Sequence, residues 1–129
     1  MNITKRLKVV ITLVLIIVVV LGTTATAFAY SNGATIGPVA PGTTKQGYIT
    51  RQLGKNQIYG ELVSGSIAYG ENITILVVKK SNGQTITSFN LNYANTSYSY
   101  GVSFAPIGDC RVTIQNNTSS NATVLVRWQ

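Results

Sequence analysis

A nucleophile with its base, a metal site and a pair of facing carboxylates each demand particular side chains, and this chain supplies few of them. It contains no histidine, which removes Ser-His-Asp and Cys-His arrangements and the commonest metal ligand. Its only carboxylates are Glu61, Glu71 and Asp109. A glycosidase needs two of these across a cleft, yet Glu61 falls mid-strand while Glu71 and Asp109 sit in or beside turns. Calcium needs several oxygens converging on one loop, and no segment clusters its acids. Each glycine is an isolated turn residue, so no Gly-rich phosphate loop is present. The single cysteine, Cys110, cannot close an intrachain disulfide. In an exported protein an odd cysteine is an intermolecular link, a reactive thiol or a buried one. Cys110 shares strand parity with Val112 and Ile114, which places it on the apolar face as an inert, buried thiol. No catalytic residue, cofactor or metal is expected, and the chain reads as a non-enzyme.

Two sets of residues bear on binding instead. Tyr48, Tyr59, Tyr69, Tyr93, Tyr98 and Tyr100 carry rings that stack on sugars and hydroxyls that bond at a rim. Tyr98 and Tyr100 share parity with Val102 and Phe104 and are expected in the core, which leaves Tyr59 and Tyr69 as candidate contacts to a glycan or protein partner. Trp128 is expected to cap the core. The second set is the glycosylation acceptors Asn72, Asn95, Asn116, Asn117 and Asn121, each followed two positions later by Ser or Thr. They fall around presumed turns and suit a glycosylated surface where the host has that machinery; otherwise they are solvated turn residues.

The elements that must position these residues follow from composition and patterning. Met1 to Lys8 is short and basic, Val9 to Leu21 is apolar except for Thr12, and small residues lead to Ala27-Phe28-Ala29. This is the layout of a secretory signal helix over residues 1–29, with cleavage after Ala29. The alternative is an uncleaved single-pass anchor. Thirteen apolar residues make a helix of about 20 Å, short of the roughly 20 residues that span hydrocarbon. A pilin-type signal would want a Gly just before the apolar run and a Glu shortly inside it, and neither is there. Residues 30–46, with Asn32-Gly33, Gly37-Pro38 and Pro41-Gly42, read as a flexible leader or stalk.

The remaining 47–129 form one domain. Thr, Val, Ile and Tyr suit a pleated sheet and Gly and Asn suit turns, while only 10% of the residues are charged. Short strands are expected at Tyr48 to Leu53, Gln57 to Val63, Ser66 to Tyr69, Ile73 to Lys79, Thr85 to Phe89, Ser97 to Phe104, Cys110 to Gln115 and Ala122 to Trp128. This predicts an all-β, antiparallel, jelly-roll-like β-sandwich of seven or eight strands. Ile73 to Val78 is apolar on both parities apart from Thr74 and reads as a central strand covered on both faces or nearly so. Ser81-Asn82-Gly83 predicts a tight hairpin with a type I′ turn.

The formal charge is +7, but Lys5, Arg6 and Lys8 belong to the export signal and leave +4 without them. The other basic residues, Lys45, Arg51, Lys55, Lys79, Lys80, Arg111 and Arg127, are spread out. A nucleic-acid partner is therefore not expected, because phosphate tracking needs a clustered stripe.

The segment Val102-Ser103-Phe104-Ala105-Pro106-Ile107-Gly108-Asp109-Cys110-Arg111-Val112-Thr113-Ile114-Gln115-Asn116, followed by Ala122-Thr123-Val124-Leu125-Val126, resembles the C-terminal half of GOLD-like and bacterial pre-peptidase C-terminal β-sandwich domains. Tyr59-Gly60-Glu61-Leu62-Val63 is similar to their opening strand. Cys110 stands where many such sequences carry an aromatic residue. The resemblance implies a jelly-roll-like sandwich that binds, or serves as a structural accessory to, secreted proteins, with no catalytic residue to carry over. The functional expectation is a secreted or surface-tethered, non-catalytic binding domain for an extracellular protein or glycan. The alternatives are a structural subunit of a surface assembly, held as a homo-oligomer through the leader Tyr30 to Gln46 or an exposed edge strand, and a secreted cationic antimicrobial or toxin. A membrane is met only through an uncleaved N-terminal segment.

Overall fold

The computed structural model describes residues 31–102 and 107–129. The expected signal helix lies outside these residues, as do Ser103 to Pro106 of the segment that carries the family resemblance. The described residues form eight strands: β1 Gly33–Val39, β2 Thr44–Arg51, β3 Gln57–Ser64, β4 Asn72–Lys79, β5 Thr85–Asn92, β6 Ser97–Gly101, β7 Gly108–Asn117 and β8 Ala122–Trp128. They make two four-stranded sheets ordered β1-β8-β3-β6 and β2-β7-β4-β5, with every pairing antiparallel. The all-β expectation therefore holds.

The core is built from one parity of each strand. Ile73, Ile75 and Val77 of β4, Cys110, Val112 and Ile114 of β7, and Val124, Val126 and Trp128 of β8 are all buried. Residues of opposite parity on the same strands, apart from buried Val78, are half-covered or exposed, as the two-residue period of a strand requires. Burying the branched side chains of both inner faces supplies the main folding drive. The expected positions of Cys110 and Trp128 are those observed. Strand β4 lies between β7 and β5, but its outer face is covered only at Val78, with Thr74 and Leu76 half-exposed.

Several expectations are corrected. Over its described residues, 31–46, the expected flexible leader is not one: 33–39 form β1 along the edge of the first sheet, paired with β8, and β2 already begins at Thr44. Ile36 and Val39 are the buried anchors that draw this segment in. The turn-like Gly37-Pro38 pair sits where the register shifts between Ile36 and Val39, and a proline on an edge strand leaves no sheet partner unbonded. Gly37 adopts φ +148° against Thr123 of β8, where a Cβ would lie 2.7 Å from the Thr123 backbone.

Residues 66–69 form no strand. The β4–β5 hairpin exists, but it closes through a four-residue loop between Lys79 and Gln84 rather than a two-residue turn. Gly83 supplies its positive φ of 73°, and Asn82 Oδ1 accepts the Gln84 amide at 3.0 Å.

Tyr98 and Tyr100 are not core residues, being 42% and 44% exposed on the edge strand β6. They stand opposite Gly60 and Ile58 of β3 in the register, so parity does turn them inward. The space over Gly60, however, is occupied by the Phe89 ring from the other sheet, within 3 Å of where a Cβ would sit. Tyr98 instead lies against Phe89 with ring centroids 5.9 Å apart, and Tyr100 follows 6.5 Å beyond it.

Candidate functional site

Two loops at one end of the second sheet display the most exposed aromatic pair. Tyr69, 90% exposed, lies in the β3–β4 connection, and Tyr93, 64% exposed, follows β5. Their rings meet edge to face, with centroids 6.2 Å apart and planes at 80°. Each loop is held by its own short-range hydrogen bonds. The Glu71 carboxylate accepts the Ala68 amide at 2.9 Å while the Glu71 amide donates to Ala68 O at 3.0 Å. Asn92 Oδ1 accepts the amides of Ala94 and Asn95, and the Asn92 amide donates to Asn95 O at 2.9 Å. Asparagine closes such turns because its side chain mimics a backbone carbonyl.

Between these loops runs an open groove of about 450 Å³, lined by the two tyrosines, Glu71, Asn72, Asn90 and Asn92. Aromatic rings beside a carboxylate and amides combine apolar faces with donors and acceptors of both kinds. That is the chemistry needed to hold a polyhydroxylated ring.

The groove opens onto the outer face of the second sheet, whose rows follow from the register. Asn92, Asn72 and Asn117 form the first row, in which Asn117 Nδ2 donates to Asn72 Oδ1 at 2.8 Å. Asn90, Thr74, Gln115 and Thr44 form the second, and Ser88, Leu76, Thr113 and Gln46 the third. None of these is buried and none is charged. At the far end Tyr48 and Arg111 stand side by side, and Lys80 Nζ lies 5.3 Å from the Tyr48 ring centroid. Asp109 follows Arg111 on the same face and accepts the Thr50 hydroxyl at 2.7 Å.

The structure does not bring the two tyrosines singled out from the sequence together. Tyr59 lies on the outer face of the first sheet, half-buried, with the Arg127 guanidinium 4.9 Å above its ring. That face of the ring is already occupied by the protein's own cation. The residues that join Tyr69 are Tyr93 and the outward-facing asparagines of β5. The legible signal for them is the alternation Phe89, Asn90, Leu91, Asn92, followed by the turn that Asn92 closes.

The glycosylation acceptors also separate. Asn116 is fully buried, its Nδ2 donating to Val39 O and Ser120 O at 2.8 Å each, its Oδ1 accepting the amide and hydroxyl of Thr118. A glycan on this atom is incompatible with the fold. Asn72 and Asn117 are tied to one another across the first row, whereas Asn95 and Asn121 stand exposed in turns.

The reactive groups are dispersed. Glu61 points out from β3 of the first sheet, while Glu71 and Asp109 lie at opposite ends of the second. Among the described residues no three of His, Cys, Asp and Glu gather as a metal site. Burial, then the neighbouring Asp109 charge, push the Cys110 thiol up to about 11. The Arg51 guanidinium and the Trp128 indole oppose this less strongly. The thiol therefore stays protonated near neutral pH and is a poor nucleophile. Arg51 itself is a structural cation, buried over the Trp128 ring at 5.6 Å and bonded to Lys55 O and Asn56 Oδ1. Compared with known proteins, the chain matches no family model, and none of the curated proteins is similar to it.

Proposed function

We propose that this chain is a non-catalytic β-sandwich acting outside the cell, which binds a glycan in the groove between Tyr69 and Tyr93. The observation that carries this reading is the exposure of both rings, presented by hydrogen-bonded loops, beside Glu71 and the strand residues Asn72 and Asn90. Large exposed aromatics on ordered loops mark binding surfaces. The strand order, β1-β8-β3-β6 over β2-β7-β4-β5, supports a jelly-roll arrangement, an architecture on which lectin domains are built. The resemblance to GOLD-like and pre-peptidase C-terminal domains supports the same non-catalytic reading. The basic and apolar N-terminal segment supports export, and Asn95 and Asn121 are the acceptors best placed for glycosylation.

Affinity electrophoresis of the purified protein through gels containing dextran, xylan or polygalacturonate tests the reading. Retardation by at least one polysaccharide is expected, and Tyr69→Ala or Tyr93→Ala should weaken it about tenfold, equivalent to about 1.4 kcal/mol. Equal retardation of parent and both variants would count against the groove.

A second reading, a subunit of a surface assembly, is favoured by the edge strand β6, all five of whose residues are exposed. An open edge is a template for another strand. Sedimentation at rising concentration separates the two, since a strict monomer excludes assembly through β6.

A further inference from the structure

Resting on the glycan-binding reading, we infer that the ligand is an acidic polysaccharide, a chain of uronic-acid type that runs along the outer face of the second sheet from Tyr69 to Lys80 and Arg111. The groove is not closed on the side of the sheet: Asn72, Asn90 and Asn92 line it and also begin the first rows of the flat face. From Asn72 to the row of Arg111 is six residues of β4, a distance of about 20 Å, which is several sugars long. Between these ends every side chain of the three rows but Leu76 offers an amide or a hydroxyl, and none is ionised. Such a surface both donates to and accepts from sugar hydroxyls and contributes no charge of its own.

Beyond Glu71, whose carboxylate is engaged by the Ala68 amide at the groove, charge appears only at the far end. There Lys80 and Arg111 flank the Tyr48 ring, and Lys79 and Lys80 line a second depression of about 380 Å³ with Ile107 and Asp109. The Arg111 Nε is buried and makes no hydrogen bond among the described residues. Asp109 is the one acid at this end, and its carboxylate is engaged by Thr50, so three cations face one anion. A carboxylate arriving along the face gains charge-assisted hydrogen bonds there, whereas a neutral glycan gains only the tyrosines and amides.

The test compares polygalacturonate with its methyl ester, which keeps the sugar backbone and removes the charge, in affinity electrophoresis of the full chain. The acidic form is expected to bind about tenfold more tightly. Lys80→Gln and Arg111→Lys should erase most of that preference, while Lys55→Gln, of the same charge change as Lys80→Gln but on the β2–β3 loop, should leave it intact. Tyr69→Ala should weaken both forms alike. Equal binding of the two forms, or a preference that survives Lys80→Gln and Arg111→Lys, overturns this inference and leaves the glycan-binding reading standing. An equal loss in Lys55→Gln also overturns it, because the preference would then be one of overall charge. Failure of both forms to bind, with Tyr69→Ala no different from the parent, removes the reading on which it rests.

Discussion

At the scale of single residues, Asn116 and Cys110 are buried for opposite reasons. Asn116 is a polar hub whose amide ties β7 to Val39 of β1 and to the turn before β8, with both its atoms satisfied. Replacing it with Ala strips two buried carbonyls and two Thr118 donors of their partner. The expected loss is about 2–4 kcal/mol, read as a lower urea midpoint at unchanged slope. Cys110 is apolar in role, and its folded-state pKa of about 11 exceeds the ordinary 9.0. The folded protein therefore holds the thiol proton over a range where the unfolded chain releases it. This contribution is complete below pH 9 and is lost as pH rises from 9 to 11. Unfolding curves across that interval should show a steeper decline for the parent than for Cys110→Ala. Asn116 was legible only as a sequon because its sequence neighbours, Asn117 and Thr118, are polar; its inward position follows from parity with Val112 and Ile114.

At the scale of elements, the edges of the two sheets decide how the aromatics are used. Phe89 crosses from β5 into the space left by Gly60 on β3, and this contact keeps Tyr98 at the rim. Gly60→Ala puts a methyl within 3 Å of both Phe89 and Ile75, and overpacking of this kind costs about 1–3 kcal/mol. The same change should alter the near-ultraviolet signal of the Phe89, Tyr98 and Tyr100 cluster, without touching the Tyr69 groove. Strand β1 illustrates the limit of turn chemistry as a guide. Gly and Pro near Ile36 read as a linker, but an edge strand tolerates both, and two buried anchors are enough to hold it on β8.

At the scale of the whole molecule, the sandwich has two unlike outer faces. One mixes Arg127, Tyr59 and Glu61, with a guanidinium on the ring. The other is an uncharged array between an aromatic groove and a basic end. Such faces stand on a rigid centre, since β8, β3, β7 and β4 each pair on both sides. Native-state hydrogen exchange should find the slowest amides in these four strands and the fastest strand amides in exposed β6. Exchange of β4 and β7 no slower than that of β6 would contradict the topology.

Local alternation in the sequence determined that the described residues are all-β, that β7 and β8 bury Val, Ile, Cys and Trp on one side, and that Tyr69 is free of the core. These are properties of a single strand or turn, and a period of two residues is visible without knowing the neighbour. Which strands become neighbours was decided only in three dimensions, because pairing joins positions far apart in the chain, such as Asn72 with Asn117 and Gly60 with Tyr98. That pairing made an edge strand of the leader and expelled Tyr98 and Tyr100 from the core. It also drew Tyr93, the asparagines of β5 and the distant Lys80 onto one face.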